Sequence, residues 1–138
     1  MKWTNNNFAD VASQLILPVF EEIDKAPNNS LIGLNRNARK MIKDAFASNQ
    51  FEGKNGQRMT IWTQECNILL VGMGKRDNIN NKLFRNTGAR TMAALSKKKG
   101  VDITVRFTTN WTIDKMLNFV EGMMLRDYNF EKYQQKNI

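Results

Sequence analysis

The sequence predicts an α/β domain, on three observations made within one stretch of the chain. Ile68-Leu69-Leu70-Val71 is an uninterrupted apolar run, as a strand shows when both faces of its sheet are covered. After a polar turn, Ile79, Leu83, Phe84, Ala89, Met92 and Leu95 recur at helical spacing. Val101, Ile103, Val105 and Phe107 then alternate with Asp102, Thr104 and Arg106, the period of a strand with one buried and one more polar face. Strand, helix and strand in that order imply a right-handed parallel crossover.

Residues 2–8 can form a first strand, but Asn5-Asn6-Asn7 suits only a sheet edge or a hairpin end. Leu15-Ile16-Leu17-Pro18-Val19-Phe20 is a better strand. Pro18 cannot donate a backbone hydrogen bond, which puts it at an edge, a bulge or the end of its ladder. Glu21, Glu22 and Asp24 close this strand, and a loop through Pro27 follows. From Leu31 onward, Leu34, Ala38, Met41, Ile42, Ala45 and Phe46 keep the helical period, with Arg36, Arg39, Lys40 and Lys43 along the exposed side. Phe51 and the run from Met59 to Trp62 flank Asn55-Gly56, a dipeptide suited to the positive φ of a tight turn. A hairpin is therefore expected to lead into the Ile68 strand.

That strand ends at Gly72-Met73-Gly74. Asp77 or Asn78 then caps a helix starting near Ile79, with Lys97, Lys98 and Lys99 in its last turn and Gly100 as its stop. After the second strand of the crossover, a last helix from about Thr112 to Leu125 carries Ile113, Met116, Leu117, Val120, Met123 and Met124 at the spacing of core residues. Tyr128, Phe130 and Tyr133 follow in a tail whose aromatic surface is expected to dock against its own domain or a neighbouring subunit.

The composition, 41% hydrophobic and 25% charged over 138 residues, is that of one ordinary globular domain. No apolar run approaches a membrane span or a signal peptide, so a cytoplasmic location and no membrane partner are expected. Cys66 is the only cysteine and reads as a small apolar filler. Histidine is absent, which removes histidine metal sites, Ser-His and Cys-His nucleophile pairs, and imidazole acid–base chemistry. The net charge is +8, and residues 75–106 hold nine of the basic residues against Asp77 and Asp102. That segment reads first as a solvated face. Its alternative is an anion or nucleic-acid contact through Lys75, Arg76, Lys82, Arg85, Lys97, Lys98 and Lys99.

Gly72-Met73-Gly74-Lys75 invites a phosphate reading, because glycines let backbone N–H groups approach an anion. It matches neither the Walker spacing nor the dinucleotide fingerprint, whose third glycine or alanine is Asp77 here. A tight turn after a buried strand is the plainer reading. No carboxylates cluster in the sequence as a metal or acid–base pair, and from chemistry alone the chain is a binding or assembly domain.

Certain segments nevertheless resemble a known family. They are Val71-Gly72-Met73-Gly74-Lys75, the helix through Gly88-Ala89, and the run from Glu121-Gly122-Met123-Met124-Leu125 to Tyr128-Asn129-Phe130-Glu131-Lys132-Tyr133. They are similar to the amino-terminal domain of the leucyl aminopeptidases, the cytosol aminopeptidase family. The last run is the most specific, since the family's pattern there passes from Glu-Gly and Leu to an aromatic, Phe, an acidic residue, Lys and Tyr. Leu17-Pro18-Val19-Phe20-Glu21 and Phe51-Glu52-Gly53-Lys54 are similar to its early strand and its Phe-x-Gly-Lys turn.

The resemblance implies a macro-domain-like three-layer α/β/α sandwich around a mixed, largely parallel sheet, with residues 1–127 as the domain and 128–138 as a tail or the start of a linker. It also implies a missing half. Two divalent metals, zinc or manganese, the active-site lysine and arginine, and an Asn-Thr-Asp-Ala-Glu-Gly-Arg motif belong to a following catalytic domain. Nothing in this chain matches them: Asn86-Thr87-Gly88-Ala89-Arg90 lacks both acidic ligands. The implied role is that of a non-catalytic assembly or regulatory domain, inactive alone, whose partners are its catalytic domain and further copies in a hexamer. A nucleic-acid-binding module is the alternative, because some relatives are known for a DNA-binding role. Nucleotide or ADP-ribose binding is a third reading, carried only by analogy with macro domains.

Overall fold

The computed structural model describes residues 3–4, 14–21, 34, 36–63, 67–95 and 103–136, the side chains of 3–4 and 127–136 excepted. The elements in chain order are strands β1 (Trp3–Thr4) and β2 (Gln14–Val19), helix α1 (Arg36–Ala47), strands β3 (Arg58–Trp62) and β4 (Asn67–Gly72), helix α2 (Asn81–Ala94), strand β5 (Ile103–Val105) and helix α3 (Ile113–Lys136). The chain has the expected α/β character around a mixed, largely parallel sheet. Two compact units make it up: one holds the sheet and α1, the other α2 and α3.

In the first unit the sheet order is β1-β5-β2-β4-β3. β2 lies between β5 and β4 and runs parallel to both, while β3 is antiparallel to β4 at one edge. β1 pairs with β5 at the other edge; Asn5, Asn6 and Asn7 lie outside the described residues. Pro18 sits in a central strand and ends a ladder. Val19 O accepts from Met73 N on the β4 side and Ile16 O accepts from Arg106 N on the β5 side. Alternation turns Pro18 toward β5, whose register with β2 stops at Ile16↔Val105, so its missing N–H leaves no gap in the β5 ladder.

Leu15, Leu17 and Val19 of β2, Ile68 and Leu70 of β4, and Ile61 of β3 share one sheet face. They form a single core with Ala38, Ile42 and Ala45 of α1, with Leu34 and with Phe51. Arg36, Arg39, Lys40 and Lys43 line the exposed side of α1 as the periodicity requires. Asn49, at φ 60°, stops this helix in the left-handed region, which asparagine tolerates better than most residues.

Two expectations in this unit are corrected. Phe51 to Lys54 form no strand, so no hairpin precedes β3; the antiparallel partner of β3 is the strand after it. Asn55-Gly56 does make a turn, closed by Gln57 N to Lys54 O at 2.9 Å. The segment before it is held by the Gln57 side chain, whose Oε1 accepts from Glu52 N and Lys54 N. β5 has no polar outer face, because Thr104 and Arg106 are as buried as Ile103 and Val105.

Helix α2, which belongs to the second unit as the turn before it does not, starts later than expected. Arg76–Asn78 form a 3₁₀ turn, and the cap is Asn80, whose Oδ1 accepts from Leu83 N at 2.9 Å. The helix ends at Ala94, where Leu95 turns extended, so it stops short of Lys97 to Lys99 and Gly100. Its buried stripe is Phe84, Thr87, Gly88, Thr91 and Met92, while Ile79, Leu83, Ala89 and Leu95 are only half-buried. α3 runs unbroken to Lys136 instead of ending at Leu125, with no change of backbone at 127–128. Its buried face is Asn118, Phe119, Gly122 and Met123; Ile113, Leu117 and Met124, expected in the core, are exposed.

Candidate functional site

The glycine-bearing motif segments lie in two packing sites, one in each unit. In the sheet unit, Gly72-Met73-Gly74 turns at the end of β4 beside the end of β2 and the Phe51–Lys54 segment. Gly72 N donates to Gln57 O at 2.7 Å, Met73 N to Val19 O at 2.9 Å and Gly74 N to Gly53 O at 2.8 Å. All three N–H groups of the turn are thus spent on protein carbonyls. A phosphate would need them free, and the tight-turn reading holds.

The glycines serve close approach. A Cβ on Gly72 would overlap the Lys54 carbonyl oxygen, and one on Gly53, at φ +84°, would press on Glu21 N at 3.2 Å. Glu21 N in turn donates to Gly74 O at 2.9 Å. Three segments that are far apart in sequence, Leu17 to Glu21, Phe51 to Lys54 and Val71 to Lys75, therefore interlock.

In the helical unit the same principle joins the other two segments. A Cβ on Gly88 would overlap the carbonyl oxygen of Phe119, and one on Gly122 that of Arg85, so α2 and α3 cross where each presents a glycine. Around the crossing, Trp111 packs edge-on against Phe84 at 5.3 Å and Phe119 at 5.7 Å between ring centroids. Arg85 Nη1 donates to Asn118 Oδ1 at 2.9 Å, and Asn118 Nδ2 donates to the Asp114 carbonyl at 2.9 Å.

The described basic candidates are divided between the two units, Lys75 and Arg76 in the first and Lys82 and Arg85 in the second. Arg85 is engaged with Asn118, and Arg76 lies 3.6 Å from the carboxylate of Asp77. Lys75, in the sheet unit, and Lys82, on α2, are exposed. Lys97, Lys98 and Lys99 lie outside the described residues, as does Cys66; Tyr128, Phe130 and Tyr133 are helical in backbone, with their side chains outside the described set. Among the described residues no three His, Cys, Asp or Glu side chains approach one another as metal ligands would. No helix among them is long and apolar enough to cross a membrane.

Residues 16–137 match the family model described as the cytosol aminopeptidase family, N-terminal domain. The chain belongs to this family. Similar proteins include a probable cytosol aminopeptidase of Desulfotalea psychrophila, 29% identical over 104 residues that cover 65% of this chain and 21% of that protein. Another, from Clostridium perfringens, is 28% identical over 127 residues, 87% of this chain and 24% of the relative. A solved structure of a tomato leucine aminopeptidase mutant shares the fold, with a TM-score of 0.63 at 17% identity, covering 84% of this chain and 25% of that one. The chain thus spans about a quarter of the length of these cytosol aminopeptidases.

Sequence reasoning missed two features of the sites. The small-residue stripe of α2 was hidden because Thr87, Gly88 and Thr91 carry no apolar signal, although Gly88 and Gly122 were both noticed as motif residues. The outward side of α3 was misassigned because Ile113, Leu117, Val120 and Met124 keep helical spacing as faithfully as its buried face does. Periodicity shows that a face exists and leaves open what covers it.

Proposed function

We propose that the chain is the non-catalytic amino-terminal domain of a leucyl aminopeptidase, a metal-dependent exopeptidase that releases amino-terminal residues from peptides. Its task there is assembly and regulation. The observation that carries this reading is a pairing of family and deficit: a match to the family's N-terminal domain in a chain with no Asn-Thr-Asp-Ala-Glu-Gly-Arg motif.

The two divalent metals of such an enzyme, zinc or manganese, do not fit the residues present. The chain lacks imidazole, and its described carboxylates are scattered. On this reading their ligands lie outside this chain, which spans about a quarter of the relatives' length. A cytoplasmic, homo-oligomeric, hexameric parent goes with the same reading. The nucleic-acid alternative gains nothing from the geometry, since Arg76 and Arg85 already have partners within the protein.

The test is turnover of leucyl-anilide by the purified chain with added manganese or zinc. No turnover above the metal-only blank is expected. Activity that rises with metal and survives repurification would overturn the proposal.

A further inference from the structure

We propose that the outer edge of β3 pairs with β3 of a second copy of this chain, antiparallel about a two-fold axis at Thr60, so that two sheets continue into one. β3 stands last in the strand order and runs antiparallel to β4 over five pairs, from Arg58↔Val71 to Trp62↔Asn67. Gly72 N donates to Gln57 O at 2.7 Å, which fixes the phase of that ladder. Met59 and Ile61 therefore turn their backbone groups toward β4, and Arg58, Thr60 and Trp62 turn theirs to the outer edge. Among the described residues no strand lies beyond them.

This edge lacks the devices that keep sheets apart. Its five residues include no proline, glycine or lysine, and no bulge interrupts the register. By contrast β1, at the other end of the sheet, has two residues. Ile61 faces the core with α1, so Arg58, Thr60 and Trp62 share the opposite face, where all are exposed and Trp62 is 69% so.

The order of these residues selects a second copy as the added strand. Only a register centred on Thr60 gives all three outward residues of each copy a partner, and each such pair exchanges both of its N–H···O bonds. Thr60 then faces Thr60, and Arg58 faces Trp62 on either side of the axis. Each guanidinium lies beside the indole of the other copy, a cation–π contact made twice by symmetry. A register centred on Arg58 would instead oppose the two cations. The pairing is isologous and closes at two copies. A strand edge this short buries less than the roughly 800 Å² per partner of a standard interface, so the dimer is a weak one.

Sedimentation velocity of the purified chain, at concentrations up to about 1 mM, tests the pairing. A concentration-dependent dimer is expected, weakened about tenfold or more by Thr60→Pro and, separately, by Trp62→Lys. Thr60→Pro removes an N–H that β4 does not use, and the Trp62 side chain is exposed, so both variants should keep the circular dichroism of the parent. If Thr60→Pro unfolds the chain, Trp62→Lys carries the comparison. In a Cys66→Ser background, Thr60→Cys should form a disulfide-linked dimer on mild oxidation, since paired Cα atoms lie about 5.5 Å apart. Lys40→Cys, on the exposed side of α1, should not. A chain monomeric throughout, a dimer indifferent to the folded variants, open-ended polymers, or Thr60→Cys that cross-links no faster than Lys40→Cys would each overturn the pairing. All of these outcomes leave the family reading standing, because the pairing draws on the sheet alone.

Discussion

Gly88 and Gly122 are each pressed against a carbonyl of the opposite helix, so the cost of a single added methyl there is set by backbone that cannot move aside. Alanine is the better helix former by about 1 kcal/mol. Overpacking of this kind typically costs about 1–3 kcal/mol, and against backbone it outweighs the propensity gain. Gly88→Ala and Gly122→Ala are expected to lower the midpoint of urea unfolding, and a rise in either would show the helices free to separate. Asn80→Ala, which removes the acceptor for Leu83 N, is expected to cost about 1 kcal/mol in the same titration. At this scale the sequence marked the glycines but not their neighbours. Gly72 meets Lys54, and Gly88 meets Phe119, across separations that no local pattern spans.

Among the elements, those read best were the ones whose burial is continuous or one-sided, β2, β4 and α1. Boundaries failed where a second device competed with the expected one. Asp77 and Asn78 are plausible caps, yet the 3₁₀ turn consumes them and Asn80 does the work. The end of α3 was misplaced because apolar periodicity fades after Leu125. Glu131, Lys132, Gln134, Gln135 and Lys136 are good helix formers, and neither Pro nor Gly interrupts them. Propensity sustains the helix there after patterning has stopped. Glu131→Pro is accordingly expected to reduce far-ultraviolet helical ellipticity and to speed chymotryptic cleavage near Tyr128. Equal cleavage of variant and parent would mean that the last turns carry no helical order.

For the molecule as a whole, α/β character was legible from a single crossover, but the strand order was not. Nothing in the runs of β2, β4 and β5 says that β2 lies between the other two. On the proposed reading the chain itself holds no metal, and this makes a whole-molecule prediction. A metal bound at a hundred times its dissociation constant would stabilise the fold by about 2.7 kcal/mol. For a chain of this size that is a shift of several degrees in melting temperature. Millimolar zinc or manganese is expected to leave the melting temperature unchanged, and a saturable upward shift would reveal a site in this chain.

The central place of β2 also bears on how the chain reaches its native state. Leu15 pairs with Ile68 on one side and Thr104 on the other, so β2 finds neither neighbour until distant stretches have been made. Only β3 and β4 can join across a short connection. Pairings of such long range slow folding toward the millisecond-to-second regime, and meanwhile leave Leu15-Ile16-Leu17 in water as a sticky segment. Pro18 stands at the end of that segment, where it has no backbone donor to offer a foreign strand.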